Sequence, residues 1–274
     1  MQPGGHETVP AELRFATYLA PRMMPVYQVV ADAVGSALGC RTVLVSEPSH
    51  ENWAKDEYDI SFICGLPYVD FERRGSAPAI PVAAPVLTGS RYGGRPIYFS
   101  DVIVRRGSLI RSLFDLRGHS WAYTEPLSQS GYGITRYSLL KLGETDGFFG
   151  TLVKTGSHLE SIALVAAGEI DGSAIDSQVL AVALEDDPAL AAEITIVASL
   201  GPSTIPPVTV SKRLPPELSA RITDVIVSLH HDPAARERLS SGLVERFVRV
   251  GPDSYDDIRT MLDACLESGF MTLR

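Results

Sequence analysis

One short pattern, Glu-x-Asp-x-Ser-x-Ile, occurs twice in this chain, at residues 57–63 and at residues 169–175. Each copy comes at the end of a run in which β-prone apolar segments alternate with segments of helical periodicity. Strands that alternate with helices along a chain form parallel sheets covered by helices. The repeat at the same point of two such runs therefore predicts an α/β fold built from two similar units.

The two runs contain the same five elements in the same order. The first run predicts strands over 13–18, 42–45 and 58–64, with helices over 21–38 and 52–55 between them. The second run predicts strands over 120–124, 149–154 and 170–175, with helices over 130–142 and 158–167. Gly39 and Gly168 follow two of these helices, and glycine is a common helix stop.

The chain is expected to cross between the two units twice, through 93–105 and back through the proline-rich segment 199–210. The expected division is a first lobe over 1–98, a second lobe over 99–203 and a return to the first lobe over 204–274. The return segment would add helices over 218–231, 234–243 and 255–267. Two α/β lobes joined by a two-segment hinge are typical of proteins that close around a ligand.

The amino-acid composition limits the kinds of molecule that the chain can bind. The chain has 274 residues, of which 45% are hydrophobic and 21% charged, as in ordinary soluble globular proteins. Its formal net charge of −9 argues against nucleic acid and anionic membranes, because both attract basic surfaces. No apolar stretch reaches the roughly 18 residues of a membrane-spanning helix. The cysteines Cys40, Cys64 and Cys265 show neither metal-ligand nor redox-pair spacing, so no metal ion or cofactor is predicted.

The segment from Ser128 to Gly131 is the main candidate for binding. It lies between a predicted strand and a predicted helix, and it consists of Ser128, Gln129, Ser130 and Gly131. Backbone N–H groups at a helix N-terminus lack intrahelical acceptors and attract anions. The segment is interpreted either as an anion site or as a simple helix cap made by one of the serines.

Further candidates follow the other predicted strands, because ligands of open α/β sheets lie beyond the carboxyl ends of strands. His158 is the first residue of a helix that Ser157 and Glu160 mark as a capping box. Asp176 ends a strand and either caps the next helix or accepts a hydrogen bond from a ligand. Aromatic or basic candidates near strand ends are Tyr18, Arg22, Tyr68 and Tyr98. An exposed first-turn histidine and packing tyrosines are the alternative interpretations.

Catalytic templates are absent. The chain has no His-Glu-x-x-His, no P-loop and no Gly-x-Ser-x-Gly. Ser130, His158 and Asp176 are of the residue types that form a triad, but their spacing does not indicate one. No catalytic residue is therefore predicted.

At this point the chain resembles the phosphate-, phosphite- and phosphonate-binding proteins of ABC transporters, which have the type II periplasmic-binding-protein fold. The resemblance covers about 13–245 and lies in five phrases: Tyr58-Asp-Ile-Ser-Phe-Ile-Cys-Gly65, Ser112-Leu-Phe-Asp-Leu-Arg-Gly118, Ser128-Gln-Ser-Gly131, His158 with Ala167-Gly-Glu-Ile-Asp171, and Ile175-Asp176. It implies two α/β lobes, each a mostly parallel sheet flanked by helices.

The resemblance also implies roles for particular residues. In the family, a Ser-Thr-Ser turn, a histidine and an aspartate hold the phosphorus oxyanion, and aromatic residues close the site. The matching positions are Ser128, Ser130, His158 and Asp176, with Tyr98 as the matching tyrosine. Two positions depart from the family: Gln129 stands where threonine is usual, and the Gly65-Leu-Pro-Tyr68 segment is one residue shorter than the family pattern.

The resulting prediction is a solute-binding protein that closes on a small anion, which would be a phosphonate, phosphate or phosphate ester. It would serve ABC-type uptake or sensing, with an ABC permease or a signalling protein as its partner. The resemblance implies a periplasmic or extracytoplasmic location, whereas the polar segment 1–7 shows no secretory leader and leaves the cytoplasm as an alternative. The alternative function is a cytoplasmic enzyme on the same fold, such as a small-molecule lyase or a pyrimidine synthase.

Overall fold

A computed structural model describes residues 9–46 and 49–273 of the chain. The segment 1–7, on which the leader prediction rests, lies outside these residues. In chain order the strands are β1 (Glu12–Thr17), β2 (Arg41–Ser46), β3 (Ile60–Phe62), β4 (Ala79–Leu87), β5 (Ile97–Arg105), β6 (Ser120–Tyr123), β7 (Thr151–Lys154), β8 (Gly172–Asp176), β9 (Ile194–Thr204), β10 (Val208–Ser211) and β11 (Val244–Arg249).

The helices lie mostly between these strands. They are α1 (Met24–Leu38), α2 (Gly65–Arg73), α3 (Ile134–Lys141), α4 (His158–Ala167), α5 (Ser177–Asp186), α6 (Leu190–Glu193), α7 (Pro216–Ser228), α8 (Pro233–Ser240) and α9 (Asp256–Glu267). Short 3₁₀ turns occur at Pro21–Met23, His50–Lys55, Ser90–Tyr92, Phe114–Leu116, Leu229–His231 and Pro252–Tyr255, and a π turn at Gln129–Gly133. Gly39 and Gly168 end α1 and α4 in the left-handed conformation, as predicted.

The described chain divides into two compact units. The first contains residues up to 63 together with 71–88 and 206–253, and the second contains 64–70, 89–205 and the residues from 254 onward. The first unit has a six-stranded sheet in the order β11-β4-β10-β3-β1-β2. In it, β1 pairs in parallel with β2 and β3, while β10 and β11 run antiparallel to their neighbours. Helix α1 packs against both α7 and α8.

The second unit has a five-stranded sheet in the order β7-β6-β8-β5-β9. Strand β6 pairs in parallel with β7 and β8, and β5 runs antiparallel to β8 and β9. Trp121 is fully buried in its core and stacks on Phe149 with ring centroids 4.5 Å apart. Each unit is thus an α/β structure, which agrees with the predicted fold class. Each sheet is mixed and not mostly parallel as expected, because only three adjacent strands at one side of it run parallel.

The repeated Glu-x-Asp-x-Ser-x-Ile pattern has a physical role in both sheets. In the first unit, Oδ2 of Asp59 accepts a hydrogen bond from the backbone N–H of Arg14 at 2.9 Å. In the second unit, Oδ2 of Asp171 accepts one from the N–H of Ser120, also at 2.9 Å. Each aspartate directly precedes its strand and bonds to the neighbouring parallel strand, β1 or β6, at the equivalent place in the register. The two matching sequences therefore make the same local contact.

The units divide the chain at places other than those expected. The crossing expected at 98/99 falls at 88/89, because β5 belongs wholly to the second sheet, and residues 64–70 already belong to the second unit. The C-terminal residues from 254 onward belong to the second unit, not to the first. The reason is packing: Phe270 and Leu273 join the core around Trp121, and the Leu273 N–H donates to the Tyr132 hydroxyl at 2.8 Å.

Several elements differ from those predicted. Strands β4, β5, β9, β10 and β11 were not predicted, and helix 234–243 ends at Ser240, after which the chain enters β11. The residues after β3 were expected to form a loop, but they are the start of α2. The boundary between the two units passes through α2, between Asp70 and Phe71.

Candidate anion-binding site

The turn from Ser128 to Gly131 lies between the end of β6 and the start of α3. Ser128 is the N-cap of this turn, and its Oγ accepts a hydrogen bond from the Gly131 N–H at 3.1 Å. The Gly133 N–H donates to the Ser128 carbonyl at 2.9 Å, which closes a π turn that continues into α3. The cap interpretation of Ser128 is confirmed, and the turn presents its backbone N–H groups at a helix N-terminus.

Glycine is required at two positions of this turn. A Cβ on Gly131 would lie 2.4 Å from Oγ1 of Thr124, and a Cβ on Gly133 would lie 2.4 Å from Oε1 of Gln129. Both distances are below any normal contact. The two glycines therefore let the turn approach β6 and let the Gln129 side chain fold back along the turn.

Ser130 connects the turn to the helix that follows β7. Its hydroxyl lies 3.0 Å from Nε2 of His158, the first residue of α4. Its carbonyl accepts a hydrogen bond from the Ser100 hydroxyl on β5 at 2.5 Å. Ser130 is buried, so these contacts hold its hydroxyl in one place. The structure thus brings together two of the residues that the sequence indicated.

His158 is held in its neutral form. Burial lowers the pKa of His158 to about 4, so at neutral pH the ring carries one proton. Its Nδ1 is buried and has no hydrogen-bond partner among the described residues. Ser157 is the N-cap of α4 and accepts a hydrogen bond from the Glu160 N–H at 3.1 Å, as predicted. The ring can therefore offer one donor and one acceptor, and one of its nitrogens still lacks a partner.

Asp176 is a buried carboxylate at the end of β8. It caps α5, because its Oδ1 accepts hydrogen bonds from the N–H groups of Gln178 at 2.8 Å and Val179 at 3.3 Å. Burial, with a smaller contribution from the nearby Asp101 carboxylate, raises the pKa of Asp176 to about 6, although the hydrogen bonds from Gln178 and Val179 oppose the rise. The cap interpretation is confirmed. A carboxyl group with this pKa gains or loses a proton close to neutral pH.

Tyr98 and Thr124 add two more polar atoms beside the turn. Tyr98 lies on β5 and is 1% exposed, and no hydrogen bond satisfies its hydroxyl in the described structure. Burial raises the pKa of Tyr98 well above its usual value, the Cys64 and Asp176 side chains add to the rise, and Ser130 opposes it. Oγ1 of Thr124 is likewise buried without a partner among the described residues. Sequence reasoning missed Thr124 and Ser100, although Thr124 follows β6 directly.

The side chain of Gln129 contacts residues of β9 and α9. Its Nε2 donates to the Ser203 hydroxyl at 3.2 Å and to the Met261 sulfur at 3.3 Å. Its backbone N–H donates to the Cys64 sulfur at 3.4 Å. The carboxamide is therefore engaged within the protein.

The remaining aromatic and basic candidates occupy different places. Tyr68 lies on α2 in the second unit, 1% exposed, with its ring centroid 5.4 Å from that of Tyr255. Tyr18 belongs to the first unit, where its ring stacks on His50 at 5.9 Å. Arg22 is exposed in the 3₁₀ turn before α1. The structure brings Ser128, Ser130, His158 and Tyr98 together in one unit, and a ligand role for Tyr18 and Arg22 stays a prediction.

The described part of the chain contains no group of three or more histidine, cysteine, aspartate or glutamate side chains suited to holding a metal ion. None of its helices is both long enough and apolar enough to span a membrane.

The fold and this turn define a binding protein of the type II periplasmic class. The family of periplasmic phosphonate substrate-binding proteins of ABC transporters matches residues 15–255. The chain belongs to this family, and it is a solute-binding protein.

Solved structures show the same fold at low sequence identity. A binding-protein component of an ABC phosphonate transporter from Pseudomonas aeruginosa superposes with a TM-score of 0.79 at 16% identity, over 93% of this chain and 86% of that one. PhnD1 from Prochlorococcus marinus, in complex with methylphosphonate, gives a TM-score of 0.82 at 16% identity, over 94% of this chain and 100% of that one. The alkanesulfonate-binding protein SsuA from Xanthomonas axonopodis pv. citri, bound to MOPS, gives 0.66 at 16% identity, over 96% and 95%. Proteins of this fold thus include phosphonate and sulfonate binders.

Proposed function

We propose that this solute-binding protein holds a small phosphorus oxyanion, which is a phosphonate, phosphate or phosphate ester, at the turn Ser128–Gly131. The observation that carries the proposal is a group of buried polar atoms around Ser130 that lack partners in the described chain: Oη of Tyr98, Oγ1 of Thr124 and Nδ1 of His158. Buried polar atoms without hydrogen bonds are costly and rare in folded proteins. A bound ligand with several oxygen atoms would satisfy these groups, whereas the N–H groups of Gln129, Gly131 and Gly133 already have acceptors within the protein.

The charges around the site favour a ligand that carries a proton or another hydrogen-bond donor. Burial alone accounts for the lowered pKa of His158, and the charged group that shifts the pKa of Asp176 is another acid, Asp101. A fully ionised dianion would therefore be bound by neutral hydrogen-bond donors, beside the carboxyl group of Asp176. Protonated phosphonate and phosphate can donate to such a carboxyl group, whereas sulfate is fully ionised and cannot.

We further propose that the protein does not catalyse a reaction on this ligand. The Ser130–His158 contact has the length expected of a nucleophile and its base. However, a histidine with a pKa of about 4 is a weak base, and no carboxylate in the described chain orients its Nδ1. Prolonged incubation of the protein with a phosphonate or a phosphate ester should leave the compound intact. Measurable turnover that the His158→Ala substitution abolishes would favour the enzyme alternative.

The family further supports a role outside the cytoplasm, with an ABC permease as partner. We propose that Tyr18 and Arg22 contribute to the same ligand from the first unit, because both follow the carboxyl end of β1. Fractionation of cells that express the natural gene product would test the location. Recovery in the cytoplasmic fraction alone would favour sensing over transport.

A thermal-shift panel tests the ligand class directly. It should contain phosphate, phosphite, methylphosphonate, 2-aminoethylphosphonate and sulfate, together with several carboxylates. A ligand specific for the folded state adds about 2.7 kcal/mol of stability at a hundredfold excess over its dissociation constant. We expect a rise in melting temperature with at least one phosphorus oxyanion and none with sulfate. A panel in which only carboxylates or sulfate act would contradict the proposal.

A further inference from the structure

We propose that Gln129 is a positioning residue, which holds the anion-binding turn in place through Ser203 and Asp257. The proposal rests on the function proposed above and assigns to Gln129 a role other than ligand contact. The turn residue that departs from the family pattern would thus act through the protein and not through the bound anion.

Gln129, Ser203 and Asp257 form a relay of side chains, and the hydrogen bonds of this relay run in one direction. Nε2 of Gln129 donates to the Ser203 hydroxyl at 3.2 Å. The Ser203 hydroxyl in turn donates to Oδ2 of Asp257 at 3.0 Å. Because the Ser203 proton is directed to the carboxylate, the Ser203 oxygen remains an acceptor for the carboxamide. Each group thus meets the partner that it requires.

Both ends of the relay are fixed. Asp257 lies in the first turn of α9, where a carboxylate suits the helix dipole, and it also accepts the Thr204 N–H at 2.8 Å. Gln129 and Ser203 are each 1% exposed, so water cannot replace a lost partner easily. At the other end, Gln129 itself is part of the turn. Its carboxamide is held between the Met261 sulfur and the space that Gly133 leaves open.

The relay also reaches the places where the chain passes between its two units. Ser203 comes shortly before the crossing at 205/206, and Asp257 comes shortly after the crossing at 253/254. Cys64, which accepts the Gln129 backbone N–H, is the first residue after the crossing at 63/64. Gln129 is therefore bonded directly to segments at two crossings and, through Ser203, to a segment at a third. This anchoring sets the position of the neighbouring Ser130 hydroxyl.

Ser203 also lies beside a ligand candidate. Tyr98 and Ser203 are paired residues of β5 and β9, and the Asp257 carboxylate contributes to the raised pKa of Tyr98. A shift of Ser203 would therefore disturb two of the proposed ligand contacts. Small displacements of binding groups have large effects because hydrogen bonds depend steeply on geometry.

A double-mutant cycle between Gln129 and Ser203 tests the relay. Methylphosphonate affinity is measured by calorimetry for wild type, Gln129→Ala, Ser203→Ala and the double variant, together with the unfolding free energy of each. We expect each single variant to weaken binding roughly tenfold, and the double variant to be no weaker than the worse single one. Thr209→Val is the matched control, because it removes a buried hydroxyl from the first unit. It should lower stability and leave affinity unchanged.

Amide resonances separate the relay from general loss of stability. In the ligand-free protein, the Ser130 and Gly131 N–H signals should shift in the same direction in Gln129→Ala and Ser203→Ala, and should not shift in Thr209→Val. Wild-type affinity in Gln129→Ala, or losses that multiply in the double variant, would overturn the proposal.

The same experiments distinguish the two proposals. If Ser130→Ala weakens methylphosphonate binding and Gln129→Ala does not, the relay proposal is wrong and the proposed binding site is supported. If wild type binds no phosphorus oxyanion, the proposed function fails. The amide shifts of the ligand-free variants still decide whether Gln129 positions the turn.

Discussion

The hydroxyl oxygen of Ser130 lies 3.0 Å from Nε2 of His158, so one hydrogen bond joins the π turn that precedes α3 to the first residue of α4. Both helix N-termini thereby face the same small region. A ligand bound there would meet donors from two helices at once.

The first prediction concerns this pair. Ser130→Ala and His158→Ala should each weaken methylphosphonate binding by about ten- to a hundredfold, because each removes a hydrogen bond to a charged ligand worth about 1.5–3 kcal/mol. Calorimetric titration measures the affinity, and circular dichroism checks that both variants are folded. Unchanged affinity in both variants would remove the turn from the site.

The second prediction concerns stability and pH at Asp176. Its pKa rises from 3.8 to about 6 on folding, so the folded state binds the extra proton between these values. The stability that this proton contributes is fully present below the unfolded pKa and is lost as pH rises through about 6. Asp176→Asn keeps the helix cap without the charge and should be more stable than wild type by about 1–3 kcal/mol near neutral pH.

Urea unfolding at acidic and at neutral pH measures this difference. The advantage of Asp176→Asn should vanish near the unfolded pKa, because wild-type Asp176 is then largely protonated in both states. His158 acts in the opposite direction, since its lowered pKa makes the fold less stable as pH falls through about 4. A difference between the two proteins that does not depend on pH would show that the Asp176 pKa is not shifted.

The third prediction is proton uptake on binding. A negative charge next to His158 and Asp176 stabilises their protonated forms and raises both pKa values, so binding should take up protons and strengthen as pH falls. Calorimetry in two buffers of different ionisation enthalpy counts the protons. His158→Gln and Asp176→Asn should each reduce the number of protons taken up on binding. Protons that the ligand itself gains or loses contribute equally in all three proteins. The same proton count in wild type and both variants would exclude a role for either group.

The fourth prediction concerns Gly131. Gly131→Ala should destabilise the protein by about 1–3 kcal/mol, because its Cβ would press on the Thr124 side chain. Thr124→Ala in the same chain removes the clashing atoms and should restore part of that stability. Gly251→Ala is the control, since its Cβ would meet nothing within 4 Å. Equal losses for Gly131→Ala with and without Thr124→Ala would show that the clash is not the cause.

Local patterns predicted much of the fold because they reflect local physics. The alternation of strands and helices and the glycine stops of α1 and α4 were read correctly from the chain. Strand β4 was not predicted because Pro81 and Pro85 lie within it, and proline is uncommon inside sheets. Helix α2 was missed because Gly65 and Pro67 suggest a loop, although proline is tolerated in the first turn of a helix.

The site was predictable only in part, for a related reason. Ser128, Ser130 and His158 belong to helix starts, which leave a local signature. Thr124 and Ser100 are single buried hydroxyl groups, and nothing in their neighbouring residues marks them. The direction of the Gln129 side chain depends on Ser203 and Met261, which are distant in sequence. No local pattern contains that information.

The packing of the C-terminal residues determines the order in which the two units can fold during synthesis. The second unit begins its sheet with β5, yet its core needs Phe270 and Leu273, and Tyr132 of the binding turn needs the Leu273 N–H. A ribosome makes these residues after every strand of the first unit. The first unit can therefore fold before the last helix of the second unit has been synthesised. The anion site takes its final structure only after that helix is made.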